Sequence, residues 1–187
     1  MPSTNHLLMP NNFTNPNIII LLGYMGSGKS TIGAALAKQL NLPFEDLDDH
    51  IASTYKGSVP DLFAKKGAKW FREVEHEMLL AALKNPTARI LSLGGGTPCY
   101  FDNMTHINNA TPHVFYLQAT PASLAARLFP FRKNRPLIAH SASENELKEF
   151  VAKHVFERQL FYNEASHRIS VDNKSVQEVV DVIATLC

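Results

Sequence analysis

Continuous apolar runs along the chain alternate with stretches in which apolar residues recur every three or four positions. The continuous runs are typical of strands buried on both faces of a parallel sheet, whereas the second pattern is typical of helices with one buried face. From residue 17 to the C-terminus the alternation predicts one α/β domain, a three-layer sandwich in which helices cover both faces of a five-stranded parallel sheet. The predicted strands cover residues 18–22, 43–47, 90–93, 114–117 and 167–171.

Helix-start signals fall between these runs. Ser143 with Glu146, and Ser175 with Glu178, have the spacing of a capping box, in which a serine hydroxyl and a glutamate satisfy free backbone N–H groups at the start of a helix. Thr120 precedes a proline, which is favoured in the first turn. Each signal predicts a helix that begins close to the cap residue.

Two segments depart from the simple alternation. Residues 47–75 are predicted to form a small helical insertion, because Ser58 and Asp61 form a variant capping box with a proline in the first turn. Residues 129–142 open with two prolines and three basic residues in nine positions. This composition is typical of an exposed, mobile loop, which can either close over bound phosphates as a lid or remain a plain solvated loop.

The clearest chemical signal follows the first strand. Residues 23–30 read Gly-Tyr-Met-Gly-Ser-Gly-Lys-Ser, which fits the P-loop pattern of glycine, four residues and Gly-Lys-Ser. The glycines let the backbone curl around phosphate oxygens, while Lys29 supplies a positive charge and the Ser30 hydroxyl supplies a ligand for Mg²⁺. Strand, loop and helix occur in the required order, which disfavours a chance glycine turn. We therefore expect the fold of a P-loop NTPase.

Acidic residues end the second predicted strand. Side chains two positions apart on a strand share a face, so Asp46 and Asp48 are expected to point into one cavity at the carboxyl end of the sheet. Open α/β sheets bind their ligands at that end. The alternative is that Asp48 or Asp49 only caps the helix predicted from residue 51 onward.

Two further features lie between the second and fourth strands. Arg72 and Glu75 are three residues apart on a predicted helix and can pair, which by itself most often describes a solvated surface. Gly94, Gly95 and Gly96 follow the third strand, and they either end it or let a ligand contact bare backbone. The P-loop in the same chain favours the second interpretation of the glycines.

Composition narrows the classes of function. The 187 residues carry a net charge of +1, so no global electrostatic footprint for nucleic acid or an anionic membrane is expected. The only two cysteines, Cys99 and Cys187, fit a reducing compartment. Residues 1–16 are rich in Asn, Pro, Ser and Thr and lack Lys and Arg, which predicts a flexible extension and not a targeting peptide. The cysteine usage and the composition of residues 1–16 predict a cytoplasmic protein. We expect a monomer, because the predicted helices leave no spare apolar face.

The remaining motifs select among P-loop proteins. Asn173 and Lys174 are followed by Ser and Val, so they do not form the Asn-Lys-x-Asp motif that reads guanine in GTPases, and the chain is short for a helicase or motor. A small-molecule kinase is favoured, and the full set of motifs resembles the shikimate kinase family over almost the whole chain from residue 17. The motifs are the sequence at 23–33, Asp46-Leu47-Asp48, Phe71-Arg72-Glu73-Val74-Glu75, Leu93-Gly94-Gly95-Gly96, Arg135-Pro136-Leu137, and Glu157-Arg158 with Tyr162.

The resemblance implies a nucleoside-monophosphate-kinase-like fold and transfer of the γ-phosphoryl group of ATP to the 3-hydroxyl of shikimate. The products are ADP and shikimate 3-phosphate, a precursor of chorismate and the aromatic amino acids. The same resemblance implies that ATP and Mg²⁺ are required and that the catalytic residues are Lys29, Asp48 and Arg135. Nucleotide contacts fall to Gly26, Ser27, Gly28, Lys29, Ser30, Thr31, Arg127 and Arg135, metal contacts to Ser30 and Asp46, and acceptor contacts to Asp48, Arg72, Gly94, Gly95, Gly96 and Arg158.

The residues agree with that chemistry, but two alternative functions remain open. A carboxylated polyol calls for arginine forks and for acidic or backbone acceptors, which Arg72, Arg158, Asp48 and the glycines supply. Another small-molecule kinase of this fold, such as a gluconate or nucleoside-monophosphate kinase, is the nearest alternative. A nucleotide-binding regulatory module without transfer activity is the alternative from another class.

Overall fold

The computed structural model describes residues 14–15 and 17–187, and it places five parallel strands in one sheet. Their spatial order is β2-β3-β1-β4-β5, so the first strand lies at the centre. The predicted five-stranded parallel sheet is therefore confirmed. The strands are β1 (Ile18–Leu22), β2 (Phe44–Asp46), β3 (Arg89–Ser92), β4 (Val114–Gln118) and β5 (His167–Ser170).

Strand β1 explains why the sheet is covered on both faces. It pairs with β3 on one side and with β4 on the other, and all five of its apolar residues are buried. Side chains of a strand alternate between the two faces, so burial at every position requires helices above and below. Burial on both faces of the sheet therefore explains the continuous apolar run in the sequence.

In the described residues, eight helices surround the sheet. Helix α1 packs against α8, and α6 packs against α7, while α4 contacts α2, α3 and α5. Short 3₁₀ turns cover Thr97–Cys99 and Phe129–Asn134. The helices are α1 (Lys29–Leu40), α2 (Leu47–Thr54), α3 (Val59–Lys66), α4 (Ala68–Lys84), α5 (Asn103–Ala110), α6 (Pro121–Leu128), α7 (Glu144–Tyr162) and α8 (Val176–Leu186).

Most predicted helix starts are confirmed. Ser58, Thr120 and Ser143 each accept a hydrogen bond from the backbone N–H three residues later. Ser175 and Glu178 form the complete reciprocal capping box. Local side-chain hydrogen bonds, which depend only on neighbouring residues, fix these boundaries.

The start of α2 differs from its prediction. The helix begins at Leu47 and not at residue 51, because β2 ends at Asp46, whose side chain caps the helix by accepting the backbone N–H of Asp48. Helix α5 had no prediction, since its sequence contains three asparagines, which are weak helix formers. Burial of Met104 and Ile107 offsets that weakness.

The predicted lid, residues 129–142, is mostly exposed but has more structure than a plain loop. Its first part is the 3₁₀ turn Phe129–Asn134, and the side chain of Ile138 is fully buried. Arg132 donates to the carbonyls of Phe129 and Ser141, both at 2.9 Å. These contacts tie the segment to its own ends, and its mobility stays a prediction.

Two other expectations are modified. Thr14 and Asn15, at the end of the predicted flexible extension, contact the folded domain: Asn15 is buried and donates to the carbonyls of Leu83 and Asn85 at 3.2 and 2.6 Å. Residues 1–13 and 16 of that extension lie outside the described residues. Helix α7 leaves Phe156 and Leu160 exposed, so the expectation that no apolar face remains uncovered is wrong.

Within residues 14–15 and 17–187, each helix is too short or too polar to cross a bilayer.

The contact between Gly33 and Phe44 gives a test of the packing between α1 and the sheet. Alanine usually stabilises a helix relative to glycine by about 1 kcal/mol. A Cβ at position 33 would lie 2.8 Å from Phe44 Cδ2 and closer still to its Cε2 atom. Overpacking of this kind costs about 1–3 kcal/mol, so Gly33→Ala should lower the Tm by several degrees in thermal unfolding.

Gly57→Ala is the matched control, because a Cβ there would make only ordinary contact, 3.4 Å from Leu62. A Gly33→Ala protein as stable as the wild type would contradict the packing described for α1 and β2.

Candidate active site

The P-loop connects the end of β1 to the start of α1. Its tight course depends on glycine, because Gly23, Gly26 and Gly28 have φ angles of 147°, 82° and 97°, which side chains rarely permit. A Cβ at Gly23 would also lie only 2.7 Å from the carbonyl oxygen of Leu117. Helix α1 begins at Lys29, directly after this turn, so its positive N-terminal end faces the loop. The loop and helix together are suited to bind an anion.

Lys29 folds back over the P-loop. Its Nζ donates to the carbonyl oxygens of Gly23 and Tyr24 at 2.9 and 3.2 Å. Burial lowers the pKa of Lys29 to about 8, and the carboxylates of Asp48 and Asp46 partly oppose that shift. A bound polyphosphate would favour the charged ammonium in the same way.

Ser30 and Asp46, to which the resemblance assigns the metal contacts, meet beside the loop. The Ser30 hydroxyl, at the start of α1, donates to Asp46 Oδ2, at the end of β2, over 3.3 Å. A hydroxyl and a carboxylate are oxygen ligands of the kind that Mg²⁺ prefers. The chemistry of this pair therefore fits a magnesium ion held together with phosphate oxygens.

Asp48 occupies a different position from the one predicted. It lies in the first turn of α2 and not on a strand, so the prediction that it shares a strand face with Asp46 is wrong. The alternative that Asp48 or Asp49 caps the helix is also wrong, since Asp46 is the cap residue. The Asp48 carboxylate nevertheless reaches the cavity, because its Oδ1 lies 2.8 Å from the position of a Cβ on Gly94.

The charge state of Asp48 is set by its surroundings. Burial, together with the nearby carboxylates of Asp46 and Glu75, raises the pKa of this carboxyl to about 6, although Lys29 and Arg72 oppose the shift. A carboxyl with such a pKa can accept a proton close to neutral pH.

Arg72 and Glu75 form a buried pair, so the interpretation of a solvated surface pair is wrong. Glu75 is only 1% exposed, and Arg72 Nη1 donates to its Oε2 at 2.5 Å. The other carboxylate oxygen accepts the Thr97 hydroxyl at 2.6 Å. The Arg72 guanidinium also stacks on the ring of Tyr100 at 4.3 Å. These contacts fix the direction in which the guanidinium points.

The three glycines after β3 are the meeting point of the charged groups. A Cβ at Gly96 would lie 2.5 Å from Arg72 Nη2, and one at Gly94 would collide with Asp48. The carbonyl of Gly95 accepts hydrogen bonds from Arg158 Nη1 at 3.2 Å and from the Tyr162 hydroxyl at 2.5 Å. The structure thus places Asp48, Arg72 and Arg158 around bare backbone, as the interpretation of the glycines as a ligand contact requires.

Helix α7 links this meeting point to the P-loop. Arg158 lies 5.4 Å from the ring of Tyr24, the second residue of the P-loop. The Tyr24 hydroxyl is 3.3 Å from His154 Nδ1, one turn earlier on the same helix. The sequence pattern did not assign Tyr24 or His154 to the site, because only the tertiary packing of α7 brings them together.

A second cavity, of about 340 Å³, lies on the other side of the P-loop. Arg127 borders it and donates to the carbonyls of Gly26 and Val171, both at 3.3 Å. The cavity therefore groups nucleotide contacts that the resemblance implied. Its lining includes Gly26, Ser27, Gly28, Thr31, Arg127, Val171, Lys174 and Ser175.

Arg135 is the exposed arginine of the predicted lid. In the part of the chain that the structure describes, its side chain makes no hydrogen bond, whereas Arg132 is used to brace the segment. After burial, the positive charge of Arg135 is one of the causes that lower the pKa of Lys29.

Glu75 and Thr97 are the main site residues that the predictions missed. Glu75 follows Phe71 by four positions and precedes Leu79 by four, and both of those residues are buried. An acidic residue on the apolar stripe of a helix is the signal that could have identified this buried charge, and the predictions did not use it.

Comparison with known proteins gives a consistent result. The family model described as shikimate kinase matches residues 25–187. A shikimate kinase of Flavobacterium johnsoniae is 43% identical over 170 residues, covering 89% of this chain and 98% of that relative. One of Flavobacterium psychrophilum is 41% identical and covers 88% of this chain and 95% of its own.

Solved structures agree with the sequence relatives. The crystal structure of shikimate kinase from Bacteroides thetaiotaomicron is 32% identical, with a TM-score of 0.79, and the match covers 90% of this chain and 96% of that one. The structure of shikimate kinase from Acinetobacter baumannii in complex with shikimate is 27% identical, also with a TM-score of 0.79, covering 92% of this chain and 93% of that one.

The environment of Asp48 can be tested by titration. Carboxyl ¹³C NMR should show Asp48 titrating with a pKa of about 6, protonated below that pH and charged above it. Asp46→Asn should lower this pKa, because it removes a neighbouring negative charge while an amide still caps α2. Asp49→Asn removes an exposed charge one residue away and should leave the value near 6. An Asp48 carboxyl that titrates near the ordinary 3.8 would contradict the described burial.

Proposed function

The chain belongs to the shikimate kinase family, and we propose from this that it transfers the γ-phosphoryl group of ATP to the 3-hydroxyl of shikimate. The products are shikimate 3-phosphate and ADP, in the pathway to chorismate and the aromatic amino acids. The observation that carries the proposal is the convergence of Asp48, Arg72 and Arg158 on the Gly94–Gly96 backbone, next to the P-loop that contains Lys29.

The side chains of the acceptor site are complementary to a small carboxylated polyol. Shikimate carries one carboxylate and three hydroxyls, so it needs cationic forks at one end and hydrogen-bond acceptors at the other. Arg72 and Arg158 are held in place, by Glu75 and Gly95 respectively, and point toward the same glycines. We assign the shikimate carboxylate to the two arginines and a ring hydroxyl to Asp48.

The donor site lies across the P-loop. We assign the triphosphate to the backbone of Gly26 and Gly28 and to Lys29, and the adenine end to the cavity beside Arg127. Ser30 and Asp46 would hold Mg²⁺, which supplies charge neutralisation at the phosphates when it is bound.

Phosphoryl transfer asks the protein mainly for positioning and charge neutralisation. The 3-hydroxyl oxygen forms a bond to the γ-phosphorus as the bond from that phosphorus to the β,γ-bridging oxygen breaks, and the bond's electron pair leaves with ADP. Asp48 orients the hydroxyl and is placed to take its proton. Lys29 and Arg135 stabilise the negative charge on the transferring group.

The functional unit we propose is a monomer that works in the cytoplasm, where ATP is available. The residues assigned to the site all lie on one chain, which is compatible with a monomer. Phe156 and Leu160 on α7 are exposed apolar side chains of the kind that a contact between two copies would bury. Light scattering of the purified protein measures the oligomeric state directly.

The reaction is tested by the choice of acceptor. ADP release should require ATP and Mg²⁺ together with shikimate, and it should be absent with gluconate or AMP. Lys29→Ala is the blank, because it removes the ammonium that contacts the phosphates. Release with gluconate or AMP but not shikimate would keep the kinase fold and overturn the acceptor site. No release with any acceptor, from folded protein that binds ATP, would favour a regulatory nucleotide-binding module.

The role of Arg135 is tested by comparing two basic residues of the same segment. Arg135→Ala should lower kcat by about 10³, the scale found when an arginine that stabilises a transferring phosphoryl group is lost. Lys133→Ala removes an equally exposed charge and should change kcat little. Equal losses in the two variants would show that only the net charge of the segment matters.

A further inference from the structure

A group of side chains outside the proposed catalytic site has the composition of a metal centre. His76 lies on α4, Asp102 is the N-cap residue of α5, and His106 lies one turn into α5. One ligand atom from each of the three residues lies within 4.8 Å of the other two. We propose that His76, Asp102 and His106 bind one divalent transition-metal ion, with Zn²⁺ as the best match, at the junction of α4 and α5.

The geometry within α5 is close to that of a bound site. Asp102 and His106 are four residues apart, so they share one face of the helix, and His106 Nε2 lies 3.1 Å from Asp102 Oδ2. Tetrahedral zinc with bonds of about 2.0–2.1 Å separates neighbouring ligand atoms by about 3.3 Å. The wider spacing to His76, whose ring centroid is 5.9 Å from that of His106, would close through rotation of the Asp102 and His106 side chains, which are exposed and partly exposed.

A buried amide sets the orientation of His76. Asn103 Nδ2 donates to the carbonyl oxygen of Thr97 at 2.7 Å, and a carbonyl can only accept, so the identity of the amide nitrogen is fixed. The remaining Asn103 Oδ1 then accepts from His76 Nδ1 at 2.6 Å. The proton of the neutral imidazole is therefore on Nδ1, and the lone pair is on Nε2.

This arrangement is the one that histidine ligands use. A ligating imidazole usually donates its other N–H to a fixed acceptor, which sets both the tautomer and the ring direction. Asn103 is 1% exposed and supplies that acceptor. The ring of Phe101, 4.8 Å away, packs against His76 as well. His76 is thus held ready to bind before a metal arrives.

The donor set selects the class of metal. Two imidazole nitrogens and one carboxylate suit Zn²⁺ and other borderline transition metals, whereas Mg²⁺ prefers oxygen ligands throughout. Three protein ligands leave a fourth position for water. Asp102 is exposed, which gives the ion a path from solvent.

The site would stabilise an element of the acceptor pocket. His76 is adjacent to Glu75, and the hydrogen bonds His76–Asn103, Asn103–Thr97 and Thr97–Glu75 form a continuous connection. A metal that joins α4 to α5 would hold Asp102, at one end of the segment 97–102. Thr97, at the other end, is already held by its hydrogen bonds to Glu75 and Asn103. The proposed site itself depends only on the three ligands and holds whether or not the acceptor is shikimate.

The test is a Zn²⁺ titration of the untagged full-length chain, freed of metal with a chelator and monitored by competition with a chromophoric zinc indicator. We expect one Zn²⁺ per chain and at least a tenfold loss of affinity in His106→Gln, since losing even an outer partner of a ligand costs about 10–100-fold. His50→Gln, which alters an exposed histidine outside the cluster, should bind as the wild type does. Excess Mg²⁺ should not displace the Zn²⁺.

Two readouts separate this result from misfolding. Co²⁺ should give visible d–d absorption bands with the wild type and with His50→Gln but not with His106→Gln. Zn²⁺ should raise the Tm of the wild type and not that of Asp102→Asn, an exposed change that leaves the core intact. Equal zinc affinity in the wild type, His106→Gln and Asp102→Asn would overturn the proposal.

Discussion

The carboxylate of Glu75 is almost fully buried, and a charge in that position must be compensated. An unpaired buried carboxylate is costly, and removing one partner of such a pair commonly destabilises a protein by about 3–5 kcal/mol. Here Arg72 neutralises one oxygen and the Thr97 hydroxyl satisfies the other. The pair therefore orients the guanidinium, and Thr97 in turn holds the turn that follows the glycines. Much of the acceptor pocket depends on this one charge.

The parts of the fold that depend on near neighbours could be predicted from the sequence. The apolar run of β1, the glycines of the P-loop and the serine caps each act over a few residues, so strand order aside, the architecture followed from them. The α2 boundary could not be predicted, because Asp46 can either extend a strand or cap a helix, and only the end of the β2–β3 pairing decides between them.

The site was predictable to the extent that its residues occur in known motifs. Lys29, Ser30 and the Gly94–Gly96 run carry their chemistry in their local pattern. Arg72 and Glu75 did not, since a spacing of three residues is the same for a solvated pair and for a buried one, and burial depends on how α4 packs against its neighbours. The contact of Tyr24 with His154 has no signal in the sequence, because 130 residues separate the two side chains.

Helix α7 connects the segment predicted as a lid to the glycine backbone of the candidate site. It starts at Glu144, immediately after the lid segment, and its far end carries Arg158 and Tyr162, which hold the Gly95 carbonyl. Its 19 residues make a rod of about 28 Å. The backbone of Gly95 and the base of the predicted lid are therefore joined by a single helix, so the separation between Arg158 and the end of that segment is set by the length of the helix itself.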